Sequence, residues 1–337
     1  MIISKINFSP YKVPFKVPFK TAYGNFEFRE GIIIELQTEK HSGYGETAPL
    51  IHFSNETLIE ARNSLEGFAL AISEINENQT LEDLLLLAEA QSFECPSTLF
   101  GLETAIYDLF SRNNQIPFWR NFSNETIECI SINGLEKDIK TDIDYSVYKI
   151  KLTNSNIFKV KDKIENIVTL LEDNYSLRID ANGSLDLPRA IRLCKELEKF
   201  NIEYIEQPLA KNELEDLSEL RMHTEIPIAV DESLTDLNSA IEIIENQSAD
   251  IFIIKPMVSG SLKETIKIIE LGKANGIESV ITTTLGTEIE RQACIQLAFA
   301  GKITLSCGFS TPSLIKENVI NNYIPTANIS KPVYIRL

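Results

Sequence analysis

Five charged residues each stand where a short apolar run stops: Lys151 in YKIKL, Asp180 in RIDANG, Glu206 in YIEQP, Asp231 in AVDES and Lys255 in IIKP. They follow one another at intervals of 29, 26, 25 and 24 residues, the length of a strand plus a helix. Lys149 lies two residues before Lys151 and so shares its strand face. Taken singly, each has an ordinary explanation. A strand-end Asp or Glu is a solvated loop residue, a Lys-x-Lys pair suits an exposed face, and Asn182-Gly183 is a turn signal. Unrelated surface charges, however, have no reason to share one register across five repeats. Three converging carboxylates cannot all remain ionised and unpaired. A hard cation resolves the conflict, and an all-oxygen set suits Mg²⁺. Zinc fits poorly, because His41, His52 and His223 lie outside this register and no cysteine falls in it at a ligand spacing. A lysine with its reference pKa of about 10.4 is almost entirely protonated at neutral pH. Nearby positive charge from Lys149, Lys255 and a metal would favour the free base. A base beside a divalent ion points to proton abstraction α to a carboxylate, with the ion stabilising the enediolate.

Chemistry of this kind needs strands that end together, as in a βα barrel, where catalytic groups sit at the C-terminal strand ends. Strand-like runs are expected at 127–132, 146–152, 177–180, 203–206, 226–231, 250–255, 279–283 and 303–306, with amphipathic helical stretches between most of them. Pro188 suits the first turn of one helix, and another is expected over 262–274. The pattern predicts an α/β chain with a parallel barrel. An open doubly wound sheet is the alternative, but no Gly-rich dinucleotide fingerprint follows any strand. Before the barrel, residues 1–53 predict a small antiparallel sheet. Helices follow in 55–114, the first capped by Asn55. These readings divide the chain into a capping domain over 1–114, a barrel over 115–320, and a segment over 321–337 that ends in PVYIRL and is expected to return to the cap.

The chain has 337 residues, 43% of them hydrophobic, enough for a barrel and a smaller domain. A net charge of −17 argues against nucleic-acid or anionic-membrane partners. Five dispersed cysteines read as free thiols, and the N-terminal residues read as a strand instead of a signal peptide. No apolar run reaches the roughly 20 residues of a membrane helix. The expected location is therefore the cytoplasm and the expected partner a small-molecule carboxylate, with a homo-oligomer left open.

In the motifs YKIKL, IDANG, IEQP, VDES and IIKP the chain resembles the enolase superfamily. The resemblance spans nearly the whole length and implies a modified TIM barrel, (β/α)7β, with an N-terminal α+β capping domain completed by the C-terminal segment. It implies Asp180, Glu206 and Asp231 as magnesium ligands, and Lys151 and Lys255 as an acid/base pair on opposite faces of the substrate. The stretch PFKTAYGNFEFREGIIIEL, with GYGETAPL and FSNETL, is similar to the cap of the o-succinylbenzoate synthase group of menaquinone biosynthesis, within the muconate-lactonizing-enzyme-like subgroup. Its Thr21–Asn25 segment, including Tyr23, then corresponds to a mobile loop that covers substrate. The implied reaction is a syn dehydration in which Lys151 moves the proton and Lys255 supplies charge. Dipeptide epimerases of the superfamily carry an Asp-x-Asp on the last barrel strand to hold the substrate ammonium. Here Gly308 and Ser310 take those places and are expected to offer donors to a carboxylate, as are Thr283 and Thr284. Arg178 and Asn182 are expected to touch substrate or to support the residues that do, with a structural partnership to a core carboxylate the equal alternative for Arg178. The rival readings are N-acylamino acid racemisation, dipeptide epimerisation, or a barrel that binds without catalysing.

Overall fold

The computed structural model describes all residues except 22–23, 51–52, 76, 142, 144, 153–156, 172–174, 311–327, 332–333 and 337. The side chains of 17–25 and 328–334 lie outside the description as well. Tyr23 and most of the expected covering loop therefore fall outside it.

The N-terminal unit begins with an antiparallel sheet of β1 (Lys5–Thr21), β2 (Gly24–Gln37) and β3 (Ser42–Thr47), in that order. Three helices follow: α1 (Leu58–Glu74), α2 (Leu81–Gln91) and α3 (Pro96–Asn114). The first helix is capped by Thr57 and not by Asn55. Thr57 and Glu60 form a reciprocal capping box that satisfies two otherwise orphaned amides, which Asn55 has no partner to do.

After β4 (Cys129–Ser131) the chain alternates strand and helix. The order is β5 (Gly134–Leu135), β6 (Val147–Lys151), α4 (Ile157–Val168), β7 (Ser176–Asp180), α5 (Leu187–Leu197), β8 (Ile202–Glu206), α6 (Leu214–Met222) and β9 (Ile228–Val230). It continues through α7 (Leu237–Glu245), β10 (Ile251–Ile254), α8 (Pro256–Ser259), α9 (Leu262–Ala274), β11 (Glu278–Ile281) and α10 (Glu288–Gly301). The helices pack on the sheet for a reason visible in their spacing. In α5, Asp186 caps, Pro188 lies in the first turn, and Ala190, Leu193, Cys194 and Leu197 form one buried stripe.

Strands β5 to β11 form one parallel sheet in chain order. The sheet curls, and Cys307–Gly308 joins its two edges through parallel bridges to Ile132 and Thr282. This is the expected barrel, with its eighth position slightly later than the expected 303–306. Ile303 instead belongs to the end of α10: Lys302 is left-handed at φ 55°, and the Ile303 amide donates back to Ala298.

The described part of the C-terminal segment differs from its expected return to the cap. β12 (Asn328–Lys331) and β13 (Tyr334–Arg336) form a small sheet with β4, in which Ile335 lies opposite Ile130. Both isoleucines are buried, so the pairing hides apolar surface and satisfies an open strand edge together. Inside the barrel, Tyr204, Ala229, Ile251, Ile253 and Val280 make a compact apolar plug. The larger core fills the space outside the strands and under the cap helices. No described helix is long and apolar enough to cross a membrane.

Candidate active site

The strand ladders place the five charged residues. Lys151 lies opposite Asp180, and Asp180 opposite Glu206. The expected single level stops there. Glu206 lies opposite Ala229, and Val230 opposite Phe252, so Asp231 and Lys255 each stand about two residues further along. A closed sheet must tilt and stagger its strands, which turns a level row into a rising rim. Every expected site residue other than Tyr23 nevertheless lines one cavity of about 350 Å³ above the apolar plug.

The groups on the rim are paired and mostly buried. Lys149 Nζ lies 3.0 Å from Asp180 Oδ2 and 2.6 Å from Glu206 Oε1. Lys255 pairs with Asp231 and stands over the Phe53 ring, 4.6 Å from its centroid. Lys151 Nζ is 4.0 Å from Asp180 Oδ2. Its side chain is 42% exposed, against 21% for Lys149, 14% for Lys255 and 6% or less for the carboxylates, so it is the most exposed of the three rim lysines.

Burial raises Glu206 to about 8, helped by the charges of Asp180 and Asp231 and only partly countered by Lys149. Burial also pushes Asp180 upward, but the Lys149 and Lys151 ammoniums outweigh it and hold the carboxyl below its usual range. For Lys149, burial works against the ammonium, yet Asp180 and Glu206 hold it charged well beyond the ordinary range. For Lys255 burial acts in the same direction and Asp231 overrides it, raising the group. Glu232 is raised to about 7, first by burial and then by Asp231. These shifts describe a pocket with more buried carboxylate than cation.

Local turns aim these groups. Asn182 and Gly183 both have positive φ, 45° and 65°, and swing the chain away just past Asp180. The Asn182 amide donates to Asp180 Oδ1 at 3.1 Å, and its side chain donates to Glu232 at 3.1 Å. Gln207 is a positioning group that sequence reasoning missed. It is fully buried; its Oε1 accepts from the amides of Asp231 and Ser233 at 3.0 and 3.2 Å, while its Nε2 donates to Leu209 O and Ser233 Oγ at 2.9 Å each. Only its place in IEQP beside Glu206 hinted at this.

Three expected donor sites are committed elsewhere. The Gly308 amide donates to Ile281 O at 2.9 Å, and Ser310 Oγ donates to Asn133 O at 2.9 Å. Thr284 donates to Glu290 Oε1 through both its amide and its hydroxyl, at 2.6 Å each. These residues shape the wall instead of offering donors, because barrel closure and the following loop consume their hydrogen bonds. Arg178 is instead bound to a half-buried carboxylate and to the closing segment of the barrel. Its Nε lies 2.5 Å from Glu203 Oε2, and Nη1 donates to Asn133 and to Ser306 O. A bulge between Leu177 and Arg178 in the ladder brings Glu203 within reach.

Among the described residues, no three His, Cys, Asp or Glu side chains stand close enough together to hold a metal as they are arranged. The donor set still fits a hard cation. Asp180, Glu206 and Asp231 supply only oxygens, all are nearly buried, and Glu206 Oε2 has no hydrogen-bond partner.

Residues 136–328 match the family described as "Enolase C-terminal domain-like", and residues 4–109 match "MenC, N-terminal domain". A hydrophobic dipeptide epimerase of Enterococcus faecalis is 27% identical over 302 residues, covering 85% of each chain. An o-succinylbenzoate synthase of Aliivibrio fischeri is 28% identical over 294 residues, covering 86% of this chain and 84% of that protein. The solved structure of the Enterococcus faecalis dipeptide epimerase, complexed with Mg and L-Leu-L-Tyr, superposes with a TM-score of 0.88 at 24% identity, covering 100% of this chain and 97% of that one. That likeness extends to the fold.

Proposed function

The chain belongs to the enolase superfamily, and from that premise we propose that it is an o-succinylbenzoate synthase. It would dehydrate 2-succinyl-6-hydroxy-2,4-cyclohexadiene-1-carboxylate to 2-succinylbenzoate and water. One observation carries the choice over dipeptide epimerisation. Gly308 packs so tightly that a Cβ there would lie 2.5 Å from Thr282 Oγ1 and 2.9 Å from Thr282 Cβ. An aspartate there would have to push the Thr282 side chain aside, and neither Gly308 nor Ser310 carries an acid, so a dipeptide ammonium would lack an acidic partner at these two positions. An unpaired ammonium in a closed pocket would be costly. The match of residues 4–109 to the MenC N-terminal domain supports the same reading.

In this mechanism Lys151, the most exposed of the three rim lysines, removes the proton at the carbon bearing the carboxylate. It then returns that proton to the departing hydroxyl on the same face, and the ring becomes aromatic. Lys255, held charged by Asp231 and backed by the Phe53 ring, supplies a fixed positive charge to the enediolate. Asp180, Glu206 and Asp231 would hold magnesium, which when bound adds positive charge at the substrate carboxylate. Lys149, locked between Asp180 and Glu206, orients those carboxylates. Gln207 fixes the backbone that carries Asp231.

N-acylamino acid racemisation is the second reading. It uses the same two lysines and needs no acid at 308 or 310, so the packing of Gly308 leaves it standing. Ligand-dependent stability tests the first. Magnesium with 2-succinylbenzoate at a hundred times its dissociation constant should stabilise the protein by about 2.7 kcal/mol. The resulting rise in Tm should vanish with a chelator. No shift with the product, alongside a clear shift with an N-succinylamino acid, would favour the racemase.

A further inference from the structure

Two buried carboxylates outside the rim face each other where the cap meets the barrel. Glu46, at the end of β3, and Glu290, in the first turn of α10, are both fully buried. Glu290 Oε2 and Glu46 Oε1 lie 2.2 and 2.9 Å from the point a Gly286 Cβ would occupy, so the two oxygens are at most 5.1 Å apart. Between them they take up the amides of one short segment. Glu290 accepts from the Thr284 amide and hydroxyl at 2.6 Å each and from the Gly286 amide at 2.6 Å. Glu46 accepts from the Thr287 hydroxyl at 2.5 Å, from its amide at 2.9 and 3.0 Å, and from the Glu290 amide at 3.2 Å. The Tyr11 hydroxyl, from β1, also donates to Glu46.

Burying two carboxylates so close together opposes folding, because each loses hydration and repels the other. An apolar pair of similar volume would avoid that repulsion but would leave the buried amides of this segment without acceptors. Nor could it fix the direction of the Thr284 and Gly286 amides. Those residues bracket Leu285, and Thr283, Thr284 and Leu285 all line the cavity. Leu285 itself has a positive φ of 66°, a conformation a leucine holds only when its surroundings impose it.

We propose that Glu290, braced from the cap by Glu46, is a positioning residue that holds the 283–286 segment in the shape that receives substrate. Neither carboxylate touches the reacting atoms; their effect passes through Thr284 and Leu285. The inference rests on the reading of this cavity as the active site.

Three variants test it: Glu290→Ala, Glu290→Gln and Gly286→Ala. The last removes no hydrogen-bonding group but drives a methyl between the two carboxylates. In folded Glu290→Ala, KM for the dehydration substrate should rise at least tenfold while kcat stays within threefold and the magnesium requirement is unchanged. Glu290→Gln keeps the acceptor for Thr284 but loses the one for the Gly286 amide, so it should recover KM only in part, to less than half of the alanine variant's rise. Gly286→Ala should reproduce the alanine variant, which covers the case in which Glu290→Ala does not fold. Unchanged KM in either variant, or a glutamine variant as impaired as the alanine one, would overturn the proposal. Amide exchange separates this inference from the assigned reaction. If the protein makes no succinylbenzoate, the dehydratase reading fails, while at least tenfold faster exchange at Thr284 and Gly286 in Glu290→Ala still supports the brace, and unchanged exchange there refutes it.

Discussion

At the scale of single residues, Lys151 and Lys149 show how two identical side chains on one strand face acquire different tasks. Lys149 is locked between two carboxylates, whereas Lys151 is 42% exposed and 4.0 Å from Asp180 Oδ2. A base must reach substrate, and only the second lysine is placed to do so. Replacing Lys151 by alanine should lower turnover by about 10²–10⁴-fold, the usual worth of a general base, with far-ultraviolet circular dichroism and magnesium affinity preserved. Wild-type turnover would remove Lys151 from the mechanism. Glu206→Gln should weaken magnesium binding measured by calorimetry, since it removes one negative charge from the rim. The five rim residues were legible in the sequence because each interrupts an apolar run at a regular interval. Gln207 was not, because a glutamine after a strand is commonplace and its value lies in contacts with residues 231 and 233, which no local pattern reveals.

At the scale of elements, the alternation of strands and helices was readable from periodicity, while register was not. The level row inferred from spacing became a staggered rim because spacing counts residues, and barrel closure depends on strand tilt. The closing segment at Cys307–Gly308 was displaced in the same way, since the apolar run before it serves the end of α10. Its tight packing also reversed the expectation about donors: the Gly308 amide is spent on joining the barrel edges. Gly308→Asp should therefore destabilise the protein by about 1–3 kcal/mol, the usual cost of overpacking, seen as a lower Tm without added dipeptide epimerase activity. An unchanged Tm would show that Thr282 yields freely and would weaken the choice of reaction.

For the whole molecule, the seam between cap and barrel is built on buried acids that the sequence could not pair. Glu46 and Thr287 are 241 residues apart, and nothing in either neighbourhood announces the other. Glu103 of α3 is a second case: it accepts from the Leu262 amide at 2.6 Å and from Ser261 Oγ at 3.1 Å, capping a barrel helix from the cap domain. Burial raises Glu103 from 4.5 to about 7, and burial together with Glu46 raises Glu290 to about 7. A carboxyl whose pKa is raised by folding binds its proton more tightly in the folded state, so its contribution to stability is greatest at low pH. That contribution is lost as pH rises from about 4.5 through 7. Denaturant titrations across this window should show Glu103→Gln gaining stability relative to the native chain as pH rises, because the amide keeps an acceptor and never ionises. A difference that does not vary with pH would show that Glu103 does not titrate there. The central claim, that this barrel dehydrates a cyclohexadiene carboxylate by way of Lys151, is tested most directly by one parallel assay. The purified protein with Mg²⁺ would be offered the dehydration substrate, an N-succinylamino acid and a dipeptide, each with and without chelator. The account predicts chelator-sensitive succinylbenzoate formation and no dipeptide epimerisation; dipeptide epimerisation without succinylbenzoate formation would contradict it.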